Sequence, residues 1–142
     1  MTAEGACFVD TNVLVYAFDQ GNSTKQRIAR RLLNELMQQD QLRVSTQILQ
    51  ELFVTLTRKV AEPCSSGEAL EVLDDLAAWP LTVIDYAAIQ EAARLADDSR
   101  ISFWDALVVV AAARAGADVL YTEDLNDGQM ILGVRVINPF KV

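Results

Sequence analysis

Four carboxylates in this sequence lie at positions where an uncompensated charge would be energetically costly, which suggests that they have a function. Asp10 directly follows the apolar run Ala-Cys-Phe-Val, and Asp124 follows the run Val-Leu-Tyr-Thr. Asp105 lies in residues 101–113, a segment that would be apolar on nearly every side of a helix. Glu51 lies on the predicted helix that follows the second predicted strand. Because burial of an unpaired carboxylate costs on the order of several kcal/mol, we expect these groups to have partners.

Each of these carboxylates also has an interpretation that requires no chemistry. Asp10 could cap the helix that follows it, and Asp105 comes three residues after a serine, which is the spacing of a capping box. Glu51 could be a solvated helical side chain. Asp124 is followed by Asp127 in a sequence, Asp-Leu-Asn-Asp-Gly, that favours tight turns.

The joint placement of the four is more informative than any one of them. Asp10 and Asp124 both follow predicted strands, and Asp105 begins a helix that leads into the second of those strands. All could therefore meet at one edge of a sheet, where open parallel sheets hold their ligands. Carboxylates that converge without lysine or arginine repel one another strongly unless divalent cations bind between them. Mg²⁺ or Mn²⁺, which prefer oxygen ligands, suit such a site.

The absence of histidine excludes several kinds of catalysis. The chain has none, which removes Ser-His-Asp and Cys-His nucleophilic sites, histidine-containing zinc sites and histidine-based nucleases. Cys7 and Cys64 are the only cysteines, and we expect two reduced thiols without a catalytic role. The remaining chemistry must use carboxylates, hydroxyls, lysine or a bound hard metal.

Length and composition predict one globular domain over residues 1–142. Hydrophobic residues make up 51% and charged residues 23%, and no apolar run approaches the ~18 to 20 residues that span a bilayer. With no apparent secretion signal, we expect a cytoplasmic protein that does not enter membranes. The net charge of −8 argues against binding nucleic acid by broad electrostatic attraction. Bound divalent cations would soften that objection, because each removes two negative charges.

Apolar runs and amphipathic segments alternate along the chain and predict an α/β fold. The predicted strands are residues 6–9, 42–45, 81–84, 119–122 and 134–137. The predicted helices cover residues 28–37, 46–59, a stretch after Ser65, a stretch that starts near Tyr86, and residues 103–115. One helix is expected between the first two strands, and an optional one between the last two. The order predicts a sandwich around a mainly parallel sheet.

The chain resembles a known family at four motifs in order. Residues 8–14 (Phe-Val-Asp-Thr-Asn-Val-Leu), 50–52 (Gln-Glu-Leu), 102–107 (Ser-Phe-Trp-Asp-Ala-Leu) and 121–125 (Tyr-Thr-Glu-Asp-Leu) are similar to the successive motifs of PIN-domain nucleases. The similarity is strongest to the VapC-type toxins of bacterial toxin–antitoxin pairs, and it covers nearly the whole chain.

The resemblance implies a fold, an activity and partners. The fold is a three-layer α/β sandwich with a five-stranded sheet of order 3-2-1-4-5, and the activity is hydrolysis of RNA phosphodiester bonds with Mg²⁺ or Mn²⁺. A protein antitoxin and a homodimer are the implied partners. The implied acidic site consists of Asp10, Glu51, Asp105 and Asp124, with Asp10 and Asp105 as the principal metal ligands. Asp127 is a further implied metal ligand, and Thr11, Asn12 and Thr122 would support the site through hydrogen bonds.

The implied mechanism needs no histidine. One or two cations would hold the scissile phosphate and lower the pKa of an attacking water, which leaves 5′-phosphate and 3′-hydroxyl ends. Basic side chains could contact RNA phosphates, and the candidates are Lys25, Arg27, Arg30 and Arg31, or else Arg58 and Lys59. A solvated helix face and contact with the antitoxin are alternatives for each of them.

Three other functions remain open. A haloacid-dehalogenase-like phosphatase also begins with an aspartate at a strand end, but it needs a second aspartate at position 12, where this chain has Asn12. A phosphoacceptor receiver domain would use Asp85, which follows the third predicted strand, but it lacks the expected paired acids after the first strand. The third alternative is an inactive PIN-like module that only binds partners, although the chain retains all four acids.

Overall fold

The structure, a computed structural model, describes residues 5–19 and 21–141. Strands and helices alternate along the chain. The elements are β1 (Ala6–Val9), α1 (Thr11–Phe18), α2 (Ser23–Gln38), β2 (Leu42–Ser45), α3 (Thr46–Arg58), α4 (Ser66–Ala77), β3 (Leu81–Thr82), α5 (Tyr86–Ser99), α6 (Phe103–Arg114), β4 (Ala117–Tyr121), β5 (Met130–Ile131) and β6 (Val134–Ile137).

The strands form one sheet with β1 at its centre. The strand order is β3-β2-β1-β4-β6-β5, and every neighbouring pair is parallel except β5 with β6. The five predicted strands, of which β6 is the fifth, follow the expected order 3-2-1-4-5, and β5 adds a short sixth strand. Helices complete the expected three layers, so the predicted α/β class is confirmed.

The segment between β1 and β2 contains two helices instead of the single predicted one. Helix α1 ends at Phe18, where the backbone of Asp19 is extended. Helix α2 then begins under its own cap, because the side chain of Asn22 accepts a hydrogen bond from the Lys25 N–H at 3.1 Å. A capping asparagine of this kind favours a new helix start over continuation of the old helix.

The optional helix before the last strand was also a wrong prediction. A hairpin, β5–β6, occupies this position. Its turn consists of Leu132 and Gly133, both with positive φ, at 51° and 78°. Two-residue turns with this backbone match the twist of antiparallel strands. The usual sequence signal is asparagine or aspartate before glycine, and this turn has a leucine there instead.

Two predicted strands have different bounds in the structure. β3 is two residues long instead of four, because the Ile84 N–H leaves the sheet and donates to the hydroxyl of Thr46 at 3.1 Å. β4 begins at Ala117 and ends before Thr122. These small shifts leave the site at the carboxyl ends of the strands unchanged.

Burial is most complete on α6, whose residues 106–112 are all buried. The helix packs against α5 and β4, which explains its apolar character on every side. In the described part of the chain, no helix is both long enough and apolar enough to cross a membrane. Cys7 and Cys64 are free thiols, as predicted.

Candidate functional site

Asp10 lies at the carboxyl end of β1, beside the end of β4. The pairing of Val9 with Tyr121 brings the two strand ends together, and the Asp10 N–H donates to the Tyr121 carbonyl at 3.0 Å. The Asp10 carboxylate is buried and accepts from the Thr11 N–H at 2.7 Å. It also caps α1, so the capping interpretation and a functional role are compatible.

The hydroxyl of Thr122 uses all of its hydrogen-bonding capacity at this point. It donates to Asp10 Oδ2 at 2.8 Å, and it accepts from Asn12 Nδ2 at 3.3 Å and from the Asp124 N–H at 3.1 Å. A hydroxyl has one proton and two lone pairs. With both lone pairs occupied, its proton must point to Asp10, which fixes Asp10 Oδ2 as an acceptor.

Glu51 reaches the same place from α3. Its Oε1 accepts from the Thr11 hydroxyl at 2.8 Å, and its Oε2 accepts from Gln47 Nε2 at 3.4 Å. Gln47 Nε2 also donates to the carbonyl of Trp104 at 3.3 Å, the residue before Asp105. These bonds connect the start of α1, α3 and the first turn of α6, and so bring three of the predicted segments to one site.

A cleft of about 690 Å³ opens over these groups. We call it the acidic cleft, and its carboxylates are Asp10, Asp19, Glu51 and Asp124. Its other lining residues are Thr11, Asn12, Val15, Tyr16, Gln50, Val54, Thr55, Lys59, Val60 and Ala61. Asp105 is half-buried beside the cleft and does not line it. Its backbone N–H is capped by the Ser102 hydroxyl at 3.0 Å.

The carboxylates influence one another's protonation. Burial raises the pKa of Asp10 to about 7, although the hydrogen bonds from Thr122 and Thr11 oppose this shift, and the charges of Asp124 and Glu51 add to it. Burial also raises the pKa of Asp105, with further contributions from the same two charges. The charges of Asp124 and Glu51 therefore act on both Asp10 and Asp105, so these two residues do not lie on opposite sides of the molecule.

The donor set of the site fits a hard divalent cation. The available groups are carboxylate, hydroxyl and amide oxygens, the ligands that Mg²⁺ and Mn²⁺ prefer. Two amide oxygens, Asn12 Oδ1 and Gln47 Oε1, are buried without a hydrogen-bond partner, and such atoms usually have a partner in native proteins. Within residues 5–19 and 21–141, no three acidic or cysteine side chains already form a metal-binding cluster. The fit therefore rests on donor chemistry and on the uncompensated charge.

Asp127 and the basic residues of α2 lie apart from these contacts. The carboxylate of Asp127 accepts from the Asn138 N–H at 2.8 Å, outside the cleft lining. Lys25 forms an ion pair with Glu123 at 2.5 Å. Arg30 donates to the Ala17 carbonyl at 2.7 Å. The remaining two candidates of the helix, Arg27 and Arg31, are exposed. Ligation by Asp127 and RNA contact by this helix remain predictions.

Three cleft-side residues were missed in the sequence. Gln47 is buried on the apolar side of α3, and a polar side chain one helical turn before Glu51 was the available signal. Asp19 lines the cleft from the end of α1, and Tyr16 lines it one turn earlier. No local pattern marks Asp19, because an aspartate after a helix is common on any surface.

Comparisons with known proteins agree on one family and fold. A family model described as the PIN domain matches residues 7–126. Among solved structures, the chain is similar to one in a toxin–antitoxin complex from Klebsiella pneumoniae. The two are 19% identical with a TM-score of 0.71, over 96% of this chain and 100% of that one. No curated protein matches the sequence.

Two further structures have the same fold. The sarcin–ricin loop cleaving toxin VapC20 of Mycobacterium tuberculosis is 18% identical with a TM-score of 0.65, over 84% of this chain and 90% of that one. A chain of the VapBC2 complex from Rickettsia felis, bound to a DNA fragment of its promoter, is 15% identical with a TM-score of 0.63, over 92% and 96% of the two chains.

Proposed function

This chain belongs to the PIN domain family, and from that premise we propose that it is a ribonuclease that depends on Mg²⁺ or Mn²⁺. We further propose that it is the toxin of a toxin–antitoxin pair. One observation carries the catalytic part of the proposal. Asp10, Glu51 and Asp124 line one cleft, Asp105 lies beside it, and no lysine or arginine is paired with any of the four in the described part of the chain.

The four acids would hold the cation between them. A divalent ion bound there would offset the charge of the scissile phosphate and lower the pKa of an attacking water. Asp127 remains a predicted further ligand, and its carboxylate accepts from the Asn138 N–H outside the cleft lining. The neutralised cleft would then accept the polyanionic substrate that the net charge of −8 otherwise repels.

The residues around the acids keep the carboxylates in place for this role. The hydroxyls of Thr122 and Thr11 each donate to one carboxylate oxygen, at Asp10 and Glu51 respectively. Gln47 holds the second oxygen of Glu51. Partners of this kind orient metal-binding carboxylates and are typically worth about 10- to 100-fold in affinity or activity. Cleavage by water would leave 5′-phosphate and 3′-hydroxyl ends.

The proposed partners follow from the structural relatives. The relative from Klebsiella pneumoniae is a toxin–antitoxin complex, and the one from Rickettsia felis is a VapBC2 complex bound to promoter DNA. By analogy we propose a protein antitoxin and a homodimer for this chain. Co-expression with the neighbouring reading frame should relieve growth inhibition, whereas an absence of both toxicity and complex formation would contradict the toxin assignment.

RNA cleavage by the purified protein tests the catalytic proposal. We expect cleavage with Mg²⁺ or Mn²⁺, no cleavage with EDTA, and a loss of at least about a hundredfold in Asp10→Asn, because this residue is both a proposed ligand and the most buried of the four acids. Sequencing the RNA ends would identify the substrate and the products.

Asp85→Asn serves as the matched control, because Asp85 lies outside the cleft lining and is paired with Arg114. It should keep full activity. Full activity in Asp10→Asn would falsify the proposed site. Hydrolysis of a simple phosphate ester without RNA cleavage would favour the phosphatase alternative instead.

A further inference from the structure

The acidic cleft has a single cationic side chain among its described lining residues, Lys59. Four carboxylates line the same cleft, so its rim repels the phosphates of any RNA that approaches. A bound cation would offset this charge only where the acids converge. A second phosphate of the same RNA strand would need its own positive partner.

Two other basic residues near this side, Lys25 and Arg30, are already engaged. The ammonium of Lys25 contacts Glu123 and the Tyr16 hydroxyl, at 2.5 and 3.3 Å, and it lies 4.7 and 5.1 Å from the ring centres of Tyr16 and Phe140. Arg30 donates to a backbone carbonyl of α1. Lys59, in contrast, is exposed, and it has no ion pair within the described residues.

Lys59 is the C-cap residue of α3 and directly follows the last helical residue, Arg58. Glu51, Thr55 and Lys59 follow one another at intervals of four positions, so they form one ridge of the helix. All three line the cleft. Eight residues correspond to about 12 Å along a helix axis, and the flexible lysine side chain shortens the gap to the acids. An RNA strand with one phosphate at the acids would follow this ridge to Lys59.

We propose that Lys59 binds a backbone phosphate of the RNA, next to the one held at the acidic site. Its role is to position the substrate. This inference rests on the proposed function and adds to it a specific contact that is independent of base identity. Of the two predicted sets of basic residues, it favours the one at the end of α3 over the one on α2.

The experiment measures RNA binding in a protein that does not cut. All variants are made in the Asp10→Asn background and mixed, in Mg²⁺, with a short fluorescein-labelled single-stranded RNA, and binding is followed by fluorescence anisotropy. An arbitrary sequence suffices because a phosphate contact does not distinguish bases. Titrations between about 50 and about 200 mM salt give the salt dependence of binding.

We expect Lys59→Met to weaken binding about fivefold at low salt, which corresponds to the upper range of an exposed ion pair. The slope of log K against log salt should become shallower by about 0.7, the value for one contact to a single strand. Lys59→Arg should restore both quantities. Arg94→Met removes the same charge from an exposed position on α5 outside the cleft lining and should change neither.

The outcomes separate the two proposals. If the wild-type protein cuts RNA and Lys59→Met matches its parent in affinity and in salt slope, the phosphate role of Lys59 is wrong and the proposed function stands. If the wild-type protein does not cut RNA and the parent does not bind it, both proposals fall. Equal losses in Lys59→Met and Arg94→Met would show only the effect of net charge and would also overturn the role of Lys59. Unchanged melting temperatures exclude misfolding as the cause.

Discussion

The protein contains two groups of carboxylates, which differ in whether a basic side chain is paired with them. Asp85 and Glu91 both pair with Arg114, at 3.1 and 3.3 Å, and Glu123 pairs with Lys25. The carboxylates of the acidic cleft have only hydroxyl and amide partners among the side chains with described hydrogen bonds. The first group is neutralised inside the structure, and the second is not.

This difference distinguishes carboxylates that stabilise the fold through ion pairs from carboxylates that are available to bind a ligand. Ion pairs at the surface cost the protein little and contribute modestly to stability. Carboxylates gathered without cations reduce the stability of the free protein, and such arrangements cluster at functional sites. The absence of a cationic partner is therefore the more informative feature of Asp10, Glu51 and Asp124.

Between the two groups of carboxylates, the pH dependence of stability should differ most. Burial raises the pKa of Asp10 to about 7 in the folded protein, from an ordinary value of 3.8. Between these values the folded state keeps a proton that the unfolded state has lost. The free energy of unfolding of the metal-free protein should therefore fall as pH rises from about 4 to about 7, by at most about 4 kcal/mol from this group.

The measurement is urea unfolding in EDTA across that pH range. Asp10→Asn should lose this part of the pH dependence, whereas Asp85→Asn should keep it. Equal pH profiles for the wild-type protein and Asp10→Asn would show that the Asp10 carboxylate is not held in its neutral form by burial.

Thr122→Val should have the next largest effect. The change removes the one hydroxyl that joins Asp10, Asn12 and Asp124, and it leaves a buried carboxylate oxygen without its donor. Since an unsatisfied buried group costs about 1 to 3 kcal/mol, we expect a loss of about 2 kcal/mol in unfolding free energy. RNA cleavage should fall about 10- to 100-fold, because the orientation of Asp10 is lost.

Thr122→Ser is the matched variant for this test. It keeps the hydroxyl and removes a buried methyl group, which costs about 1 kcal/mol. Cleavage should remain near the wild-type rate. If serine and valine lower activity equally, the hydroxyl does not orient Asp10.

Replacement of aspartate by asparagine should change the stability of the protein slightly, and in opposite directions, in the two groups of carboxylates. In metal-free protein, Asp105→Asn removes a charge that Asp124 and Glu51 repel, so the melting temperature should rise or stay the same. Asp85→Asn weakens an ion pair with Arg114, in which the Asp85 side chain is 60% exposed. Its unfolding free energy should fall by less than about 1 kcal/mol. A large loss in Asp105→Asn would instead indicate a buried hydrogen bond or cap as the role of that carboxylate.

Much of the fold could be predicted because the spacing of apolar residues marks each element locally, whereas the strand order was implied by the family resemblance. Short Val-rich runs mark β1, β2 and β6, and the continuous apolar character of residues 106–112 marks a helix buried on all sides. The meeting of Asp10 with the segment after β4 follows from parallel strands that end at one edge. The ligand roles of the four acids remain predictions of the sequence and its family.

The features that the sequence did not reveal depend mostly on contacts between distant residues. Lys25 looks like any lysine on a polar helix face, and only the fold brings it to Glu123, 98 positions away. The Leu132–Gly133 turn carries a leucine where asparagine is the usual signal. Gln47, which donates to Glu51, has its second partner, the Trp104 carbonyl, 57 positions away. No local pattern encodes such pairings.

The hydrogen bond between Thr122 and Asp10 spans 112 positions of a chain of 142. A nascent polypeptide that has not been synthesised past Thr122 lacks the donor that orients Asp10, however well its earlier helices have formed. Contacts of such long sequence separation are expected to close late in folding. On the proposed function, chains released before Thr122 is synthesised would have no oriented Asp10 and should not cut RNA.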